Sequence, residues 1–198
     1  MFRSTGFRMS QRKSEQKPEK DVRKTEKQTI GMVEVIAMTN VAYGSPMRYI
    51  DSKTKAFLIE KYVKPGVIDS VDRIDFYIPR CFSPITNKMM PCIHGTAVMS
   101  ALKEAVGLAG KPLKYEYTEF SVLGIYFDES DVNLLVRKIT LAKSEQKTQT
   151  LAITEIVLSG AHGVLLYEGQ VPSELMTSKI TIGRMKSRGF GRIIIKWQ

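Results

Sequence analysis

The chain has 198 residues, of which 43% are hydrophobic and 25% charged, and it carries a formal net charge of +10. That length and balance fit one ordinary domain or two small ones and exclude wholesale disorder, a fibrous chain and a disulfide-built miniature. No run approaches the roughly 18 apolar residues of a membrane helix, and the basic N-terminus (Met1-Phe2-Arg3) lacks the apolar core of a secretory signal. These features, with two cysteines that suit a reducing compartment, predict a cytoplasmic protein with no membrane partner.

The charge is unevenly placed. Residues 1–27 hold nine basic and four acidic residues, and residues 179–198 hold six basic and none acidic. The stretch between carries 15 basic and 16 acidic residues, so the excess sits at the two ends. A basic end attracts polyanions, of which nucleic acid is the commonest, although solvation alone accounts for many basic tails. Residues 1–28 have hardly any apolar side chain after Met9, too few to offset their ordering entropy, and read as a flexible basic arm.

Residues 29–198 read as a single domain that starts near Ile30. Met32–Met38 is apolar on both faces and predicts a buried strand. Asn40–Pro46 is a turn by its Gly, Ser and Pro. Ala56–Val63 predicts a short helix stopped by Pro65-Gly66, and Pro79, Pro84 and Pro91 mark residues 74–92 as extended or looped. The segment 43–92 is thus expected to be an inserted, loop-rich region, and its aromatic residues to be core or subunit interface. Thr96–Leu108 is the best helix, with an apolar stripe of Ala97, Ala101, Leu102, Ala105 and Leu108 and Gly95 or Thr96 at its cap. Strands follow at Phe120–Phe127, Asn133–Leu141, Leu151–Leu158 and Gly163–Tyr167, with polar Ala142–Thr150 as a connection. Leu175–Ile182 and Arg192–Trp197 complete the pattern. It predicts an α+β fold with an antiparallel sheet, of which the ferredoxin-like arrangement is the simplest.

The densest signal is Ile182-Gly183-Arg184-Met185-Lys186-Ser187-Arg188-Gly189-Phe190-Gly191-Arg192-Ile193. Glycine permits unusual backbone angles and close approach to a phosphate. Arg184, Lys186, Arg188 and Arg192 supply cationic donors, Ser187 a hydroxyl and Phe190 a face for a base. It is neither a Walker loop nor a dinucleotide fingerprint. A solvated glycine-rich hairpin is the plain alternative.

That segment resembles the C-terminal glycine-rich loop of the RAMP superfamily of CRISPR-associated proteins. Thr39–Ser45 is similar to the glycine turn after the family's first strand. Cys92-Ile93-His94-Gly95-Thr96-Ala97-Val98 is similar to its first helix entry, with His94 in place of the usual proline. Glu155–Val157 with Gly163–Leu165 is similar to its last strand pair. The resemblance, most of all to Cas-seven-type backbone subunits of type III Csm/Cmr effectors, implies a ferredoxin-like, RRM-related fold with helices on one face. It implies CRISPR RNA, and target RNA, as ligands, with other effector subunits, including copies or paralogues of this chain, as partners. Binding would need no cofactor. Target cutting would use Asp51, in Arg48-Tyr49-Ile50-Asp51, with Mg²⁺ or another divalent cation; Asp51-Ser52-Lys53 fits an ordinary turn equally well.

Two alternatives stand beside this reading. A metal-independent CRISPR RNA processing endoribonuclease would use His94 as general acid or base, with the amides at Gly95 and Thr96 binding phosphate. A non-CRISPR binding module or small enzyme is the other; a cysteine-pair racemase would be one form of it. Packing or capping is the plainer reading of His94. Cys81, Cys92 and His94 lack the close cysteine pair of structural zinc sites, so no metal site is expected there.

Overall fold

The computed structural model describes residues 29–110, 119–143 and 146–197. The arm expected at 1–28 lies outside these residues. In chain order the elements are β1 (Ile30–Ala37), β2 (Ser45–Pro46), α1 (Ser52–Leu58), β3 (Ile74–Tyr77), β4 (Arg80–Ser83), β5 (Lys88–His94) and α2 (Gly95–Leu108). They continue with β6 (Phe120–Phe127), β7 (Val132–Lys143), β8 (Gln146–Val157), β9 (His162–Gly169), β10 (Lys179–Thr181) and β11 (Arg192–Ile195).

Two sheets result. The larger is antiparallel and runs β10-β11-β1-β9-β6-β5-β4; the smaller runs β2-β3-β8-β7, with β3 and β8 parallel. Helix α2 packs on the large sheet. Val98, Ala101, Leu102 and Val106 meet Val33, Val35, Ile125, Leu165 and Ile193 in the main core. The stripe is one step off the expected one: Leu108 points away and is 85% exposed. Gly95 opens the helix because a side chain there would strike the Val122 carbonyl of β6.

Strand β1 is not buried on both faces. Val33, Val35 and Ala37 face the core, whereas Met32 is 62% exposed. The polar reading of Ala142–Thr150 as a connection is also corrected, because β7 and β8 continue in register from Val132↔Val157 to Lys143↔Gln146. A polar sequence can form such a ladder, because cross-strand pairing satisfies the backbone amides and carbonyls whatever the side chains are.

The largest difference lies at 43–92, expected to be loop-rich: beside the expected short helix, which starts earlier, at Ser52, it holds four strands. Asp51 caps α1, and the helix runs through a π-helical turn at Ile59–Val63 before Pro65-Gly66. Proline falls where the ladders tolerate it. Pro91 ends the β4–β5 pairing at Arg80, and the pairing of β5 to β6 begins at the next residue, Cys92. Leu58, Tyr62, Ile74, Tyr77 and Ile153 form a second core between α1 and the small sheet.

A buried ionic cluster joins the two sheets. Glu155 of β8 is fully buried and accepts hydrogen bonds from the Tyr62 hydroxyl (2.8 Å), the Ile78 amide (2.9 Å) and both terminal nitrogens of Arg80. Arg80 also holds Glu129, which takes Lys61 at 2.6 Å. Burial alone would lower the Arg80 guanidinium's affinity for its proton, but the hydrogen bonds it donates to Glu155 and Glu129 outweigh it and raise its pKa. For Tyr62 burial is the largest cause of a raised pKa, reinforced by Glu155.

Candidate nucleic-acid interface

The glycine-basic segment leaves β10 and returns into β11. Its centre is a 3-10 turn, Lys186–Arg188, between Met185 and Gly189, both left-handed (φ 60° and 82°). The loop is strapped to the turn that follows β1. The Arg184 amide donates to Ala42 (2.6 Å), the Gly191 amide to Asn40 (2.9 Å) and the Arg192 amide to the Thr39 hydroxyl (3.1 Å). Two segments far apart in sequence, 39–45 and 182–192, thus form one unit.

The glycines divide by task. A Cβ on Gly191 would lie 1.9 Å from the Ile182 carbonyl oxygen, and one on Gly183 would lie 2.6 Å from that of Ala42, so both serve close packing of the chain on itself. Gly189 alone of the three opens to free space. The amides of Arg188 and Gly189 are spent on Met185 and Lys186. Those two amides are thus not available to an anion, and the exposed side chains supply the charge for a grip.

Those side chains are available. Arg184, Lys186, Ser187, Arg188 and Arg192 are all exposed, while Phe190 is half-buried. Arg184 stacks on the Phe76 ring at 3.7 Å from its centroid, which holds the guanidinium over an aromatic face. Lys186 pairs with Glu104 of α2 at 2.8 Å, an exposed contact of a kind worth about 0–1 kcal/mol and open to competition from a phosphate. Among the described residues no carboxylate pairs with Arg184, Arg188 or Arg192. Beside the loop lies a groove of about 810 Å³ with Lys179, Lys186 and Arg192 on its rim and Ala101, Ala105 and Ile180 on its floor. Lys179 belongs to the basic end already noted, but the contribution of Glu104 to this surface was not visible in the sequence, because nothing local ties α2 to the loop.

The other candidates fall elsewhere. His94 ends β5 at the cap position of α2, with no side-chain cap bond. Its ring meets Tyr43 edge-on at 6.2 Å, and its Nδ1 lies 3.7 Å from the Cys81 sulfur. Tyr43 follows Ala42, the residue bridged to Arg184, so the helix entry and the glycine loop share one neighbourhood. Thr96 is exposed and its carbonyl accepts from Ser100. Cys81 and Cys92 form a disulfide, a pairing the sequence analysis did not foresee.

Asp51 lies in a separate cavity with Thr54, Phe57, Arg80, Met89 and Glu129. Both of its oxygens are engaged by Thr54: Oδ1 by the amide (2.9 Å) and Oδ2 by the hydroxyl (2.6 Å). These bonds lower its pKa. The nearest further acid in that cavity, Glu129, is neutralised by Lys61 and Arg80. This donor set does not suit a divalent cation, which needs several free oxygens, and it fits the ordinary-turn alternative for Asp51.

No family model and no curated protein matches the sequence. Among described residues no helix is long and apolar enough to cross a membrane. The chain does share its fold with a solved structure, a chain of the type III-B Cmr-beta complex bound to cognate target RNA, at 9% identity and a TM-score of 0.53 over 85% of this chain and 97% of that one.

Proposed function

We propose that this protein is an RNA-holding subunit of a type III CRISPR ribonucleoprotein effector. The observation that carries the reading is the exposed row Arg184, Lys186, Ser187, Arg188 and Arg192 on a loop whose backbone is braced from within. Braced cations bind a sugar-phosphate chain without a large ordering cost and without reading its sequence. The shared fold with a Cmr-beta chain supports the same reading.

The strand order supports a ferredoxin-like core within the large sheet. Strands β11-β1-β9-β6 follow the 4-1-3-2 order of that arrangement, and α2 lies in the first crossover. The second crossover carries a 3-10 turn at Ser173–Leu175 and β10 in place of a helix. CRISPR RNA would run along the loop and groove. Neighbouring subunits, copies or paralogues of this chain, would contact the 43–92 region, where Phe82, Ile85 and Met89 are exposed on the β4–β5 hairpin. The engaged carboxylate of Asp51 favours a structural role, so no cleavage step is assigned to it. The contact of His94 with Cys81 favours no acid-base role for that imidazole.

The test is titration of single-stranded RNA at several salt concentrations. Affinity is expected to fall with salt, with a log-log slope of about −0.7 per phosphate neutralised. Absence of binding, or binding indifferent to salt, would overturn the proposal.

A further inference from the structure

Beside the loop, the β4–β5 hairpin brings together three donors that the sequence kept apart. Cys81 sits on β4, and Cys92 and His94 on β5, and the turn at residues 84–87 closes the ten-residue gap between the cysteines. The two sulfurs and one imidazole nitrogen lie within 4.8 Å of one another. The cysteines form a disulfide here. A disulfide needs no third partner, yet the Nδ1 of His94 stands 3.7 Å from the Cys81 sulfur. In a tetrahedral zinc site, with zinc–sulfur bonds of about 2.3 Å and zinc–nitrogen bonds of about 2.0 Å, the sulfur–nitrogen edge is about 3.5 Å.

We infer that Cys81, Cys92 and His94 form a redox-gated site for a thiophilic divalent cation of the zinc class. The disulfide is its closed state. A two-electron reductant, a dithiol or a phosphine, opens it: the sulfur–sulfur bond breaks and each sulfur takes up one proton, while the dithiol gives up its two protons and becomes a disulfide, or the phosphine becomes its oxide with the oxygen and both protons supplied by water. On binding, the two thiols release those protons, and the cation accepts two thiolates and the neutral imidazole. The burial suits three protein ligands and one open position. Cys92 is buried against Tyr126 and Leu166, Cys81 is half-buried, and His94 is exposed, which leaves a solvent side for water or an external donor. The rigid seating comes from the sheet, since Cys81 pairs with Met90 of β5, and Cys92 and His94 pair with Tyr126 and Gly124 of β6. The site stands whether or not the loop binds RNA.

The experiment uses the full chain, reduced with a phosphine, desalted without oxygen and titrated with Co²⁺. One equivalent is expected to give thiolate-to-cobalt charge-transfer absorption and the visible bands of tetrahedral cobalt, displaced by Zn²⁺. The oxidised protein should give neither. Cys81→Ser and Cys92→Ser should abolish the bands, and His94→Ala should weaken binding about tenfold or more. Should the cysteine variants fail to fold, the wild type still decides: Zn²⁺ must slow alkylation of both thiols in the reduced protein. Reduced wild type without cobalt bands, or thiols that Zn²⁺ leaves unprotected, would overturn the inference. Bands unchanged in His94→Ala would overturn the three-donor site.

Discussion

Arginine does opposite things in two parts of this molecule. Arg80, between the sheets, is 7% exposed and is enclosed by Glu155 and Glu129. Arg188 and Arg192, on the loop, are exposed and without a carboxylate partner among the described residues. Neutralised charge in the interior fixes how elements meet, because losing one partner strands the other in a medium that solvates it poorly. Unneutralised charge on a braced loop adds little to folding and remains available for an anion.

The sharpest way to break this contrast is at Glu155. Glu155→Ala should cost about 3–5 kcal/mol in urea unfolding, because Arg80 would lose its most buried partner. A loss near that of a surface change would show that the cluster does not join the sheets. Next comes the loop. Replacing Arg184, Lys186, Arg188 and Arg192 with Ala together should weaken single-stranded RNA binding by about 100-fold and flatten the salt slope by up to about 3, with the melting temperature nearly unchanged. Equal losses of stability and affinity would merge the two regions into one structural class.

The glycines sharpen the division within the loop itself. Gly191→Ala should destabilise by about 1–3 kcal/mol, since its φ of +83° disfavours a side chain and the Ile182 carbonyl is in the way. Gly189→Ala meets open space and should cost about 1 kcal/mol from its positive φ alone. The smallest effect is at Asp51. Its folded-state pKa is depressed by Thr54, so its stabilisation is present above the ordinary value of 3.8 and disappears as pH falls through the lower folded value. Asp51→Ala should lower the melting temperature slightly at neutral pH, the gap to wild type should close in acid, and RNA affinity should not change.

The nearness of Cys81, Cys92 and His94 is not legible in their spacing. Cys-x₁₀-Cys-x-His lacks a close pair as text, but the antiparallel hairpin sets Cys81 opposite Met90 and so brings Cys92, two residues on, diagonally across from it. Glu155 carried a signal that could have been weighed, as the one charge in the apolar run Leu151–Leu158. Its partner, 75 residues away on β4, carried none. The prolines at 79, 84 and 91 argued for loops because proline costs a ladder bond, yet each sits where no such bond is needed or where pairing changes neighbour.

Local chemistry alone was enough to mark most strands, the α2 helix, the basic glycine loop and the α+β class, because periodicity, capping and turn residues act over a few positions. Which strands pair, that β2, β3, β7 and β8 make a second sheet, and that 39–45 meets 182–192 were decided only in three dimensions. Those outcomes depend on contacts between residues distant in the chain, and the free energy of such contacts comes from shared burial rather than from any residue's own preference.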